Sequence, residues 1–241
     1  MMSNHLKFIN LAHDVASKNL GKTFPNPTVG CVISKNNIII SKAVTSATGR
    51  PHAEEIALKK AGKKAKGAIM YVTLEPCFHN SQNGSCADQI LRSGINKIYI
   101  SCIDQDPRTK KKSISKLKKN KIKVITGIEK DKTISVNNFY FKSLKKKKPF
   151  TKVKMAISND NKIAWSNYKS KWISNSKSRA YVHSLREKTQ AILTTSKTIL
   201  KDNPRLTVRK KNKIIKNLNV IIIDKNLNIP LNINLLKNLH E

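Results

Sequence analysis

Four side chains constrain this chain more than any others: His52 and Glu54 in the run Pro51-His52-Ala53-Glu54, Cys77 after Pro76, and Cys86. One imidazole and two thiolates form a donor set suited to Zn²⁺. Three protein ligands leave the fourth tetrahedral position to water, which marks a catalytic site rather than a closed structural one. A metal there brings the pKa of its water from about 15.7 towards about 7. Glu54, two residues beyond His52 on a tight helical turn, is placed to take the water's proton and return it to a departing nitrogen. Any fold of this chain must bring residues 52, 77 and 86 together.

The local sequence favours that convergence. His52 opens a helix behind Pro51, a favoured first-turn residue, and Ile56, Ala57 and Ala61 give that helix an apolar face. Cys77 follows Pro76 directly after the apolar run 68–74, and Cys86 opens a short helix, 86–93, that Gly94 stops. Two helix N-termini then aim their positive ends at one spot, which suits thiolates and hydroxide. Cys31 and Cys102 lie inside apolar, strand-like runs and are assigned to packing. The pattern H-x-E…P-C-x-x-C marks zinc deaminases. Here eight residues, Phe78 to Ser85, separate the cysteines instead of two. A purely structural zinc would leave Glu54 without a purpose.

At 241 residues the chain can hold two modest domains, each with its own core. The first part alternates helix (5–18), strand (28–34), an Asn36-Asn37 turn into 38–40, helix (52–63), strand (68–74), helix (86–93), strand (97–102), helix (113–119) and strand (122–126). Strands separated by single helices predict an α/β fold: a mostly parallel sheet covered on both faces, with its site at strand ends. Lys145 to Lys148 and Pro149 read as a solvated basic linker, 145–149, between a first domain, 1–144, and a second, 150–241. The second begins with a strand at 150–158, then a helix at 176–186, a strand at 191–195 and the apolar run 220–223.

Net charge is +34, which in a shaped groove would indicate a polyanionic partner. The lysines are instead scattered through every kind of segment, and only 5% of residues are aromatic, so stacking platforms are scarce. Nucleic acid is expected to bind only nonspecifically at low salt. No segment approaches the roughly 20 apolar residues of a membrane span, and residues 1–16 lack the apolar core of a signal peptide. Four cysteines without a disulfide framework fit a reducing cytoplasm.

Pro25-Asn26-Pro27-Thr28-Val29-Gly30-Cys31, then Pro51-His52-Ala53-Glu54, then Thr73-Leu74-Glu75-Pro76-Cys77-Phe78-His79 follow one another in order. Further on come Trp172-Ile173-Ser174, Ala191-Ile192-Leu193-Thr194 and Asp202-Asn203-Pro204-Arg205-Leu206-Thr207-Val208-Arg209. On these runs the chain resembles the bifunctional riboflavin-biosynthesis deaminase–reductase family over nearly its whole length. The resemblance implies a cytidine-deaminase-like α/β/α sandwich followed by a partial dihydrofolate-reductase-like α/β domain. It implies zinc on His52, Cys77 and Cys86, a proton shuttle at Glu54, and Asn26 and His79 holding a diaminopyrimidinone that carries a ribose 5′-phosphate. In the second part it implies NADPH contacts at Ala156, Trp172, Thr198 and Asp202, and substrate contacts at Ser170, Arg186, Leu206 and Arg209. The arginines would suit phosphate.

The chain departs from the family pattern at Thr45, Gln82, Gly84-Ser85 and Lys110-Lys111-Lys112, the last in place of a glycine-rich stretch. The family's later glycine-rich NADP loop has no counterpart before Glu241, so the reductive step is expected to be impaired. A homo-oligomer and a separate reductase chain are the protein partners left open. The rival functions are a tRNA-type nucleic-acid deaminase, which calls for a two-residue cysteine spacing and an aromatic-lined channel, and a zinc-stabilised remnant without catalysis.

Overall fold

The structure, a computed structural model, describes residues 2–79, 84–167, 172–211 and 213–237, with only the backbone of Met2 and Ser3. It divides into two compact units, Met1–Thr151 and Lys152–Glu241.

In the first unit α1 (Met2–Ser17) precedes β1 (Gly30–Lys35) and β2 (Ile38–Val44). Then come α2 (Ala53–Ala61), β3 (Ile69–Leu74), α3 (Cys86–Ser93), β4 (Lys97–Cys102), α4 (Lys112–Lys119), β5 (Lys123–Thr126), α5 (Lys130–Val136) and α6 (Asn138–Lys146). The five strands lie in the order β2-β1-β3-β4-β5. The expectation of a mostly parallel sheet needs correction. β3, β4 and β5 run parallel, whereas β1 pairs antiparallel with both β2 and β3. Asn36 and Asn37 reverse the chain with φ of 51° and 60°, the paired left-handed conformation that two-residue hairpins prefer.

Successive strand residues face opposite layers. Cys31, Ile33, Met70, Val72, Ile98 and Ile100 pack with Ala57 of α2, Ile90 of α3 and Leu117 of α4. Val32, Tyr71 and Tyr99 pack instead with Phe8, Ile9 and Ala12 of α1. The period-two alternation thus builds a three-layer α/β/α sandwich with a core on each face. Helix α1 lies so close to β1 that a Cβ on Gly30 would fall 1.9 Å from the Ala12 carbonyl oxygen. Cys31 and Cys102 are buried.

On the α1 face, His13 is buried with Nε2 3.2 Å from Ser101 Oγ. Thr133 Oγ1 donates to the Thr73 carbonyl at 2.7 Å and lies 3.0 Å from the same serine hydroxyl. Burial pushes the His13 imidazole down to about 4, and its Nδ1 has no hydrogen-bond partner.

The basic run at 145–149 differs from the expected linker. Lys145 and Lys146 complete the last turn of α6, and Lys147 follows in left-handed backbone with φ 51°. Cations at a helix C-terminus meet the negative end of its dipole, so helix is a favourable state for these lysines.

In the second unit α7 (Ser176–Glu187), β6 (Ala191–Thr195), α8 (Ser196–Asp202), β7 (Val208–Lys210), β8 (Lys213–Lys216), β9 (Asn219–Ile223) and α9 (Asn234–Lys237) follow in order. β6 and β9 pair in parallel, and β7 and β8 form an antiparallel ribbon. The strand expected at 150–158 does not form: these residues join no ladder among the described residues, and Val153 is 85% exposed. Apolar β-formers alone do not make a strand whose backbone donors find no neighbour.

Candidate metal centre and active site

Three chain segments deliver the donors. His52 caps α2 from extended backbone, Cys77 lies just beyond β3, and Cys86 is the first residue of α3. Ser85 caps α3 by accepting from Asp88 N at 3.1 Å, so the Gly84-Ser85 departure supplies the helix start that holds Cys86. His52 Nδ1 lies 3.3 Å from Cys86 Sγ, and Cys86 N donates to Cys77 Sγ at 3.3 Å. The ligand atoms of the three residues all lie within 4.8 Å of one another. One ring nitrogen and two sulfurs turned towards each other in a buried corner fit zinc by both donor chemistry and spacing.

The electrostatics of this corner are strongly perturbed. The hydrogen bond from Cys86 and the neighbouring His52 hold the Cys77 thiol well below its usual range. Cys86, sharing that bond and buried, is pushed up. Burial alone would lower His52, but the bond to Cys77 and the nearby Glu54 outweigh it and raise the imidazole. Glu54 is 3% exposed, and burial pushes its carboxyl up to about 7 against the pull of His52. A buried carboxyl group beside a donor set suited to zinc can both accept and return a proton.

His52, Glu54 and Cys77 line a cavity of about 620 Å³. Asn26 lines it, its Nδ2 2.8 Å from the Gly49 carbonyl oxygen and 3.5 Å from His52 Nε2. His79 also lines the cavity, and its buried Nδ1 has no hydrogen-bond partner among the described residues. Thr45, the first departure, spans β1 and β2 by accepting from Val29 N at 3.1 Å. Gln82 lies outside the described residues.

Sequence reasoning missed part of the wall. Asp104, Asp106 and Arg108 from the loop after β4, and Tyr140 and Lys147 from the end of the unit, line the same cavity. Asp106 is buried and held by Arg108 Nε at 3.0 Å. Burial pushes Asp104 up to about 6, and Tyr140 Oη donates to it at 3.2 Å. The available signal was the run Asp104-Gln105-Asp106-Pro107 immediately after a buried strand, where open sheets place their ligands.

The second unit brings some of its expected residues together. Arg186 Nη1 reaches the Thr207 carbonyl at 3.5 Å, and Arg209 N donates to His183 Nδ1 at 3.1 Å. Leu206 stands beside them with φ 48°. Burial and the Arg209 charge lower the Arg186 guanidinium, and neither arginine has a carboxylate partner among the described residues. Thr198 and Asp202 lie four residues apart on α8, whereas Ala156 is in the stretch before α7 and Trp172 in a turn under Arg179, 4.1 Å from its ring centroid. Among the described residues, no side-chain hydrogen bond or ring contact links these four. Ser170 lies outside the described residues.

Comparison with known proteins matches both parts of the chain. The profile of the cytidine and deoxycytidylate deaminase zinc-binding region covers residues 2–102, and that of the RibD C-terminal domain covers residues 149–240. Riboflavin biosynthesis protein RibD of Aquifex aeolicus is 38% identical over 227 residues, 93% of this chain and 63% of the relative. The Buchnera aphidicola protein of that name is 41% identical over 205 residues, 85% of this chain and 55% of the relative. The chain thus spans less than two thirds of these relatives. Among solved structures, Acinetobacter baumannii RibD superposes with a TM-score of 0.89 at 33% identity, covering 99% of this chain and 68% of that one. A Thermotoga maritima diaminohydroxyphosphoribosylaminopyrimidine deaminase/5-amino-6-(5-phosphoribosylamino)uracil reductase gives a TM-score of 0.84 at 36% identity, covering 93% and 64%. With its donors, its sandwich and both its domain profiles in agreement, this chain belongs to the RibD family of riboflavin-biosynthesis proteins.

Proposed function

We propose that the first unit, with 1–144 as its domain, hydrolytically deaminates 2,5-diamino-6-(5-phosphoribosylamino)pyrimidin-4-one to 5-amino-6-(5-phosphoribosylamino)uracil. The observation that carries this reading is the buried Glu54 carboxyl beside the His52, Cys77 and Cys86 donors, with Glu54, His52 and Cys77 lining one cavity. His52, Cys77 and Cys86 would hold zinc, which supplies Lewis acidity that brings a water's pKa from about 15.7 towards about 7. Glu54 accepts the water's proton at a carboxylate oxygen and passes it to the amino nitrogen that leaves. Asn26 orients the ring from the His52 side, and His79 offers its unpartnered Nδ1 to it. Lys147, in the cavity wall, suits a ribose phosphate, while the Arg108 guanidinium of the same wall is paired with the Asp106 carboxylate.

The second unit, assigned to 150–241 after the 145–149 segment, is read as belonging to the NADPH-dependent reductive half of the family. Arg186 and Arg209, two guanidiniums without a carboxylate, suit the substrate phosphate beside Leu206, with Ser170 completing that contact set. Ala156, Trp172, Thr198 and Asp202 are the cofactor contacts in this reading. A reducing cytoplasm suits the four free cysteines, and no helix of the described residues is long and apolar enough to cross a membrane.

The test is release of ammonia from the diaminopyrimidinone phosphate by the purified, zinc-loaded chain. Turnover of that substrate with none on cytidine or on adenosine in a tRNA loop is the expected result. Turnover on the tRNA alone would replace this reading with the nucleic-acid one.

A further inference from the structure

Glu75 is buried, makes no ion pair among the described residues, and lies two residues before Cys77. Its carboxylate is nevertheless fully engaged. Oε2 accepts from the backbone N–H of Asp104 at 3.3 Å and of Lys111 at 3.1 Å, and Oε1 accepts from Ser113 Oγ at 2.8 Å. Its own N–H donates to the Cys102 carbonyl at 2.9 Å, extending the β3–β4 pairing by one step. One oxygen therefore joins the two ends of the loop that follows β4.

Within that loop short bonds define the rest of the shape. Asp104 Oδ1 accepts from Asp106 N at 3.0 Å, Asp106 Oδ1 accepts from Arg108 N at 2.9 Å, and the Asp106 carbonyl accepts from Lys110 N at 2.8 Å. Lys111, at the far end, has φ 61° and ψ −6°, a left-handed conformation uncommon for a residue with a Cβ. Glu75 takes the N–H of this residue, so its carboxylate supports backbone that local preference does not. The side chains of Asp104, Asp106 and Arg108 reach the cavity from this loop.

We propose that Glu75 is a positioning residue: it clasps the loop 103–111 against the cysteine turn and so holds the wall carrying Asp104 and Arg108 at a fixed distance from Glu54. The inference rests on the deaminase reading of the cavity. It predicts that losing the clasp misplaces the substrate while leaving the metal donors intact. A displacement of about 1 Å in such a wall costs up to about 10²-fold.

The test compares the zinc-loaded full chain with Glu75→Ala, Glu75→Gln and Ser113→Ala. Glutamine keeps one oxygen for both amides and can donate from its nitrogen to Ser113 Oγ, so its KM should stay within about threefold of wild type. Glu75→Ala should raise KM by about 10- to 100-fold, change kcat less, and keep its zinc. Hydrogen exchange at the Asp104 and Lys111 amides should accelerate in the alanine variant and not in the glutamine variant, with β3 and β4 amides unaffected. Unchanged KM or unchanged exchange in Glu75→Ala would overturn the proposal, as would loss of zinc from that variant. If Glu75→Ala does not fold, Ser113→Ala decides: faster Lys111 exchange with raised KM supports the clasp, and wild-type behaviour sinks it. Exchange needs no substrate, so an inactive wild-type chain would refute the deaminase reading while leaving the clasp to be judged on its amides.

Discussion

His52 Nδ1 lies 3.3 Å from Cys86 Sγ although the two residues are 34 positions apart in the chain. The first residue of one helix and the capping residue of another meet because both helices start at the same edge of the sandwich. That convergence gives the metal prediction. Cys86→Ala leaves one sulfur and one nitrogen, too few for a stable three-ligand site. Elemental analysis of dialysed protein should show about one zinc per chain in the wild type and almost none in this variant. Retained zinc would exclude Cys86 as a ligand.

Glu54→Gln separates proton transfer from metal binding. The amide fills the same buried volume but cannot accept the proton, so kcat should fall by about 10²–10⁴-fold. Zinc content should not change. Wild-type turnover in this variant would place the proton shuttle elsewhere.

The buried His13 predicts an acid-sensitive stability. Its folded pKa, about 4, lies below the ordinary 6.5, so the unfolded chain binds the proton more readily. The stability contributed by neutral His13 is complete above pH 6.5 and is lost progressively as pH falls towards 4. The loss is at most about 3 kcal/mol, less what solvent screening removes. Urea unfolding of wild type and His13→Gln across pH 7.5 to 4.5 isolates this contribution from that of Asp104, which titrates in the opposite sense. Parallel pH profiles for the two proteins would contradict the assignment.

Gly30→Ala tests the seat of α1. A Cβ there would overlap the Ala12 carbonyl, which is helix backbone and cannot rotate aside. The helix must lift from β1, at a cost of about 1–3 kcal/mol or more. The melting temperature should drop with zinc content preserved in whatever fraction folds; an unchanged melting temperature would mean α1 is loosely held.

Much of the first unit was legible because its signals are local. The continuous apolar runs around Cys31 and Met70 gave strands covered on both faces, Asn36-Asn37 the hairpin, and Gly94 the end of α3, which adopts φ 72° there. The antiparallel pairing of β1 with β3 was not legible, because strand direction depends on tertiary packing and leaves no mark in the residues. Asp104 and Tyr140 escaped for a related reason. They belong to no motif, and only the fold brings residue 140 to 3.2 Å from residue 104. The segment 150–158 misled in the opposite way, its alternating Val153, Met155 and Ile157 promising a strand whose neighbours do not arrive.

Lys111 carries a further consequence. Glycine reaches its left-handed backbone at no steric cost, whereas an L side chain there is opposed by roughly 1–2 kcal/mol. The family resemblance places a glycine-rich stretch at this point, and the chain has three consecutive lysines instead. A lysine holds this turn, and the Glu75 carboxylate, 36 positions earlier in the chain, accepts its backbone N–H. The bend is thus maintained by a contact between distant parts of the chain, not by the conformational freedom of a glycine.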